Sequence, residues 1–386
     1  MNAKWQGVKM LSYEQANIIN GFRILMSKLA YLSRFYIVES ITGIGDKELT
    51  YQEFLKLPEE GNRLVKTLTG LTVDFTPVTV AYVNGLKNLI DGMVSGDQAK
   101  SDESIQQLYQ VSDQNAHYLA QLSPYWDEAT WQGIFYRYNS DLVAEVLAIK
   151  NGDYNKALDI FQVMMQEAMI RGDYYAEGFI HLLPEDQHKI PPAYFNMIKD
   201  FRQISTEWAY LSRFYMVARI AGLGNEKYVT ERFYALTSRM KEKFELILGT
   251  EQANNVLNLT SIYAIRLEEL ITAVLRSDQA AIEAKVNEVY QDTDELAAYL
   301  SSINPCWDET KWKELLNTFN GFLVEEGSAL QRKDYLSFLQ TFEKLLYSAL
   351  SIGDYYALGL YQYATKKAPV RCSFLSNGNL VNAPTT

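Results

Sequence analysis

The chain has 386 residues, of which 48% are apolar and 13% aromatic, and a formal charge of −11. That length exceeds one ordinary core and suits two domains of roughly 150–200 residues, and the composition excludes a disordered chain. The acidic balance, with no basic run, argues against a nucleic-acid partner, because such proteins gather Lys and Arg on one face.

Nine prolines and 21 glycines are few for this length, and the abundance of Leu, Ala, Glu, Lys, Gln and Met favours helix throughout, so an all-α fold is expected. Every long apolar segment meets a charge within about 18 residues, so no membrane span is expected, and residues 1–10 lack the apolar core of a secretory signal. Cys306 and Cys372 form no pattern. Two such thiols suit a soluble protein of the reducing cytoplasm.

In chain order, residues 1–11 form a lead-in, and Ser12 with Gln15 has the spacing of a capping box. The helix that follows runs to about residue 41, with Phe22, Leu25, Leu29, Leu32 and Tyr36 on one buried stripe. Gly43 and Gly45 stop it. Two short helical pieces, from near Thr50 and after Pro58, lead to Gly70. Longer helices are predicted over residues 75–94, 98–122, 128–150 and 154–183, with Asp97 and Asp127 as N-caps. Residues 184–192, polar and proline-rich, read as a linker.

The same order then begins again. Residues 30–36, Ala-Tyr-Leu-Ser-Arg-Phe-Tyr, recur without change at 209–215, and the Gly-Asp-Tyr-Tyr-Ala of 172–176 recurs at 353–357. Pro124, Trp126, Asp127, Glu128 and Trp131 return as Pro305, Trp307, Asp308, Glu309 and Trp312. The spacing between matched positions is nearly constant from one end to the other, so the copies differ by only a very short insertion. A repeat of this length is a closed bundle rather than a solenoid unit. The expected architecture is two tandem antiparallel helical bundles, residues 12–183 and 193–366, each of four to five main helices plus short connectors. They are expected to pack on each other as a pseudo-symmetric pair, and a polar tail, 367–386, follows.

Arg34 and Arg213 lie in apolar, aromatic surroundings, where a charge is costly unless paired. The recurring mid-helix acids, Asp113 with Asp294, Glu145 with Glu326 and Asp173 with Asp354, are the candidate partners, and Asp173 and Asp354 are preferred. Such a pair reads as an interhelical lock; a bound carboxylate or phosphate is the alternative. Tyr31 with Tyr210 and Tyr174 with Tyr355 belong to a larger set of recurring tyrosines. Their rings suit the core, and their hydroxyls suit either internal hydrogen bonds or the wall of a polar cavity. Gly172 and Gly353, inside helices, imply a close crossing or a kink. Trp126 and Trp307, two residues after a proline, suit a brace at a helix corner.

No metal, cofactor or catalytic residue is predicted. None of His117, His181 and His188 has a histidine counterpart, Glu185-x-x-His188 falls in the linker, and no phosphate-binding loop or nucleophile elbow occurs.

Residues 29–34 (Leu-Ala-Tyr-Leu-Ser-Arg), residues 123–126 (Ser-Pro-Tyr-Trp) and Gly172-Asp173, with 208–213, 304–307 and Gly353-Asp354 in the second copy, carry a family resemblance. They are similar to the His-Val-x-Trp-Thr-Arg run, Asn-Pro-Tyr-Trp corner and Ala-Asp pair of a largely uncharacterised family of helical-bundle proteins. That family is found mainly in spore-forming Gram-positive bacteria, usually with one copy per chain. The resemblance covers most of both copies and implies a helical bundle. The family's histidine positions are Leu29 and Trp208, Tyr82 and Tyr263, and Tyr138 and Phe319 here, which implies loss of any metal or acid/base role those histidines have. The function expected is a non-enzymatic scaffold or binding protein, with a protein partner or a small anionic ligand. The alternative is a ligand-binding sensor or enzyme with a polar cavity around Arg34 and Arg213.

Overall fold

The computed structural model describes residues 10–183 and 189–365, and in them the expected all-α fold forms. The elements are β1 (Leu11–Ser12), α1 (Tyr13–Thr42), α2 (Lys47–Phe54), α3 (Leu57–Thr69), α4 (Thr76–Val94), α5 (Gln98–Leu122), α6 (Glu128–Lys150), α7 (Tyr154–Ile180) and β2 (Lys189–Ile190), followed by α8 (Pro192–Ala221), α9 (Glu226–Leu248), α10 (Thr250–Arg276), α11 (Gln279–Ile303), α12 (Glu309–Gln331) and α13 (Tyr335–Ala364). Among the described residues no helix is long and apolar enough to cross a membrane.

The chain divides between Ile190 and Pro191 into two units. In unit 1, α1 lies along α7, and α4, α5 and α6 complete the bundle; α2 and α3 pack on α1. In unit 2, α8 lies along α13 in the same way, with α10, α11 and α12 beside them and α9 on α8. Residues 184–188 of the expected linker, the start of the lead-in and the tail with Cys372 lie outside the described residues. The rest of that linker is structured instead: Lys189 and Ile190 pair antiparallel with Ser12 and Leu11, and Pro192 already opens α8.

Local chemistry sets the helix ends. The Ser12 side chain accepts from the Gln15 backbone at 3.2 Å while the Ser12 backbone N–H donates to Gln15 Oε1 at 3.0 Å. Asp97, Asp127 and Asp153 cap α5, α6 and α7, and Asp278, Asp308 and Asp334 do the same in unit 2. One difference has a clear cause. Pro58 begins α3 after a break, whereas its counterpart is Thr237 and α9 runs through it uninterrupted. A proline lacks the N–H and crowds the preceding turn; threonine does neither.

The α1–α7 contact is a backbone crossing. A Cβ on Gly172 would lie 2.7 Å from both Cα and N of Arg23, and one on Gly353 would lie 2.7 Å from the Phe201 carbonyl and 2.8 Å from the Arg202 Cα. Only glycine permits that approach.

Candidate functional site

The buried arginines of the repeated stretch do not meet the acids preferred for them. Arg34 Nη1 donates to Glu145 Oε1 at 2.5 Å and to the Ala157 carbonyl at 3.2 Å. Arg213 repeats this with Glu326 at 2.8 Å and the Phe338 carbonyl at 3.0 Å. Asp173 is instead held by both arms of Arg23, and Asp354 by both arms of Arg202. The reason is register. Gly172 fixes α7 against Arg23, and Arg34 lies eleven residues further along α1, about 16 Å away at 1.5 Å per residue, beside the start of α7. Burial pushes the carboxyls of Glu145 and Glu326 up to about 7, and the adjacent guanidinium works against that rise.

The other candidates disperse. Asp113 accepts from the Tyr136 hydroxyl at 2.7 Å on an exposed edge, and Asp294 faces Lys313 at 3.6 Å. Tyr31 and Tyr210 pack their rings on Phe35 and Phe214. Tyr174 and Tyr355 accept the backbone N–H of Asp127 and Asp308 at 2.6 and 2.7 Å. Beside them, the indole N–H of Trp126 donates to the Tyr174 carbonyl at 2.6 Å and that of Trp307 to the Tyr355 carbonyl at 3.0 Å. The proline corner therefore braces the last helix of each unit. Arg34 and Arg213 are both paired and buried.

Each unit does hold an interior pocket, about two turns along the first helix from its buried arginine. In unit 1 its walls come from Phe22, Leu25, Met26 and Leu29 of α1, Leu57 and Gly61 of α3, Tyr82 of α4, Asn115 of α5, Phe135 of α6, and Arg171 and Tyr175 of α7. The room for water-sized occupants is about 30 Å³ there and about 50 Å³ in unit 2, the space of one or a few waters. Leu29 and Tyr82 line the pocket of unit 1, and Trp208, Tyr263 and Phe319 that of unit 2, whereas Tyr138, the counterpart of Phe319, is not among the lining residues of the first. Among the described residues no His, Cys or carboxylate lines either.

Arg171 separates the two units chemically. It is 4% exposed, and two of its nitrogens, Nε and Nη1, are buried without a hydrogen-bond acceptor. Its guanidinium lies 4.4 Å from the centre of the Phe135 ring, 4.9 Å from that of Tyr82 and 5.9 Å from that of Tyr175. The side chains of Tyr82 and Tyr175 lie close enough to interact with it, and among the described residues no carboxylate pairs with it. Ring faces supply up to about 2 kcal/mol each when desolvated. They leave Nε and Nη1 without an acceptor, which costs about 1–3 kcal/mol for each, on top of several kcal/mol for the buried ion itself. The Tyr82 phenol does not discharge it by ionising: burial pushes that group up to about 12, against the pull of Arg171. In unit 2 the matching position is Ile352, and Leu296 stands for Asn115, so that pocket carries no charge.

Arg171 escapes a search for residues that recur, because it does not recur. Its signal in the sequence is a charge in one copy facing an isoleucine in the other, on a stripe that is otherwise apolar. Comparison of the chain with family models, with curated proteins and with solved structures gives no match.

Proposed function

We propose that this chain is a non-enzymatic binding protein built from a duplicated helical bundle, in which unit 1 receives a small molecule at Arg171 and unit 2 keeps the same frame without that charge. A duplicated relative of the spore-former bundle family, acting in the cytoplasm, is part of the proposal; motif residues and two unpatterned cysteines support it. The single observation that carries the ligand role is a buried guanidinium with unmet donors on the wall of a pocket. The alternative reading of the sequence put a cavity around Arg34 and Arg213; this proposal puts the ligand at a different level of the first bundle. The binding reading is favoured over an enzymatic one because the pocket wall offers no nucleophile or base of ordinary reactivity.

Native mass spectrometry of the gently purified full chain tests this. One extra small mass per chain, absent from Arg171→Ile, is expected. An apo mass under all conditions, with Arg171→Ile less stable than the parent, would instead mark Arg171 as part of the frame.

A further inference from the structure

We infer that α7 of unit 1 is the seam of a symmetric dimer, on which a second copy of this chain lays its own α7 antiparallel.

Lys156, Val163, Ile170 and Glu177 follow one another along α7 at intervals of seven residues. Each lies about 20° round the helix from the last, so the four form one nearly straight line, about 32 Å long. Lys156 is exposed, Val163 and Ile170 are 48% and 52% exposed, and Glu177 is half-buried. The line is thus apolar at its centre and oppositely charged at its two ends.

Apolar residues scattered singly on a surface need no partner, but this line is complementary to itself. With a two-fold axis level with Gln166 and Glu167, Val163 meets the partner's Ile170, Lys156 meets the partner's Glu177, and each contact occurs twice. A parallel alignment would instead set like charge on like charge at both ends. Among the described residues neither Lys156 nor Glu177 has an ion-pair partner within the chain. Asp173, beside the line, is already neutralised by Arg23 and adds no repulsion.

Unit 2 supplies the comparison within the same molecule. The matching line on α13 is Ser337, Lys344, Ser351 and Leu358, with neither an apolar centre nor opposed charges. One seam per chain closes a dimer and does not propagate into a filament. A seam one helix wide falls below the area of a stable interface, so the dimer is reversible, with a Kd of roughly 10–100 μM.

The experiment is sedimentation equilibrium of the full chain at low salt, at concentrations on either side of that Kd. The parent is expected to show a monomer–dimer equilibrium. Val163→Lys combined with Ile170→Ser copies unit 2 at exposed positions; it is expected to weaken association by about tenfold or more with an unchanged urea midpoint. Lys156→Glu, which leaves the apolar centre in place, sets two acids together at each end and is expected to weaken the dimer severalfold. Adding Glu177→Lys is expected to restore it, a pattern that only the antiparallel alignment gives. A monomer throughout, or a dimer unchanged by Val163→Lys with Ile170→Ser, would overturn the seam. A dimer lost in that variant but indifferent to the charge exchange would overturn the antiparallel alignment, and species larger than a dimer would overturn closure.

Discussion

Glycines inside helices behave oppositely according to what faces them. Gly172 meets the backbone of α1, which does not yield, whereas a methyl on Gly133 of α6 would meet nothing within 4 Å. Gly172→Ala is therefore expected to destabilise by about 2–3 kcal/mol through overpacking, and Gly133→Ala to stabilise by up to about 1 kcal/mol through helix propensity. Urea denaturation of the two variants checks both signs. Equal effects would mean that the α1–α7 approach is looser than the structure shows. The recurrence of Gly172 as Gly353 was legible in the sequence; its partner, the backbone at Arg23, was not, because a glycine carries no side chain to announce what it touches.

At the scale of elements, the contact between α1 and the connector helices preserves a pairing while reversing its charges. Lys28 Nζ lies 2.8 Å from Glu60 Oε1 and 4.0 Å from Glu53 Oε2. The matching positions in unit 2 are Glu207, Arg239 and Arg232, and Arg239 Nη1 lies 2.6 Å from Glu207 Oε2. A search for identical residues passes over this triad, since none of its members recurs. Lys28→Glu alone places three acids together and is expected to lower stability by about 1–3 kcal/mol. Combining it with Glu53→Arg and Glu60→Arg rebuilds the unit 2 arrangement and is expected to recover most of the loss. A multiple-mutant cycle measures this, and additive losses would show that the three positions act separately.

For the whole molecule, the two units share a frame and differ in ionisable chemistry. Besides Arg171, unit 1 carries Asp141 and Glu167 as a hydrogen-bonded acid pair, where unit 2 has Phe322 and Ser348. Burial, then the charge of Asp141, pushes Glu167 up to about 7, with Arg137 opposing. An acid whose folded value lies above its unfolded value of 4.5 holds its proton longer in the native state. The contribution is thus fully present below about pH 4.5 and is lost as pH rises towards about 7. The urea midpoint of the full chain is expected to fall across that window, and Glu167→Gln to flatten the slope by removing this acid. An identical slope in the variant would assign the pH dependence elsewhere.

Sequence alone determined the all-α class, most helix boundaries, the capping residues and the pairing of copies, because these follow from local periodicity and from side chains acting within a turn or two of their own backbone. It also supplied Glu145 among the candidate partners of Arg34, without selecting it. The selection needed the register of α1 against α7, set by a glycine crossing that brings Asp173 onto Arg23, 150 positions earlier in the chain, and no local rule carries that information. Arg171 was hidden for a different reason: whether an arginine is paired, solvated or stranded in a pocket depends on what the other helices of the bundle place around it. Tertiary structure alone made that environment, and with it the buried charge that distinguishes the pocket of unit 1 from that of unit 2.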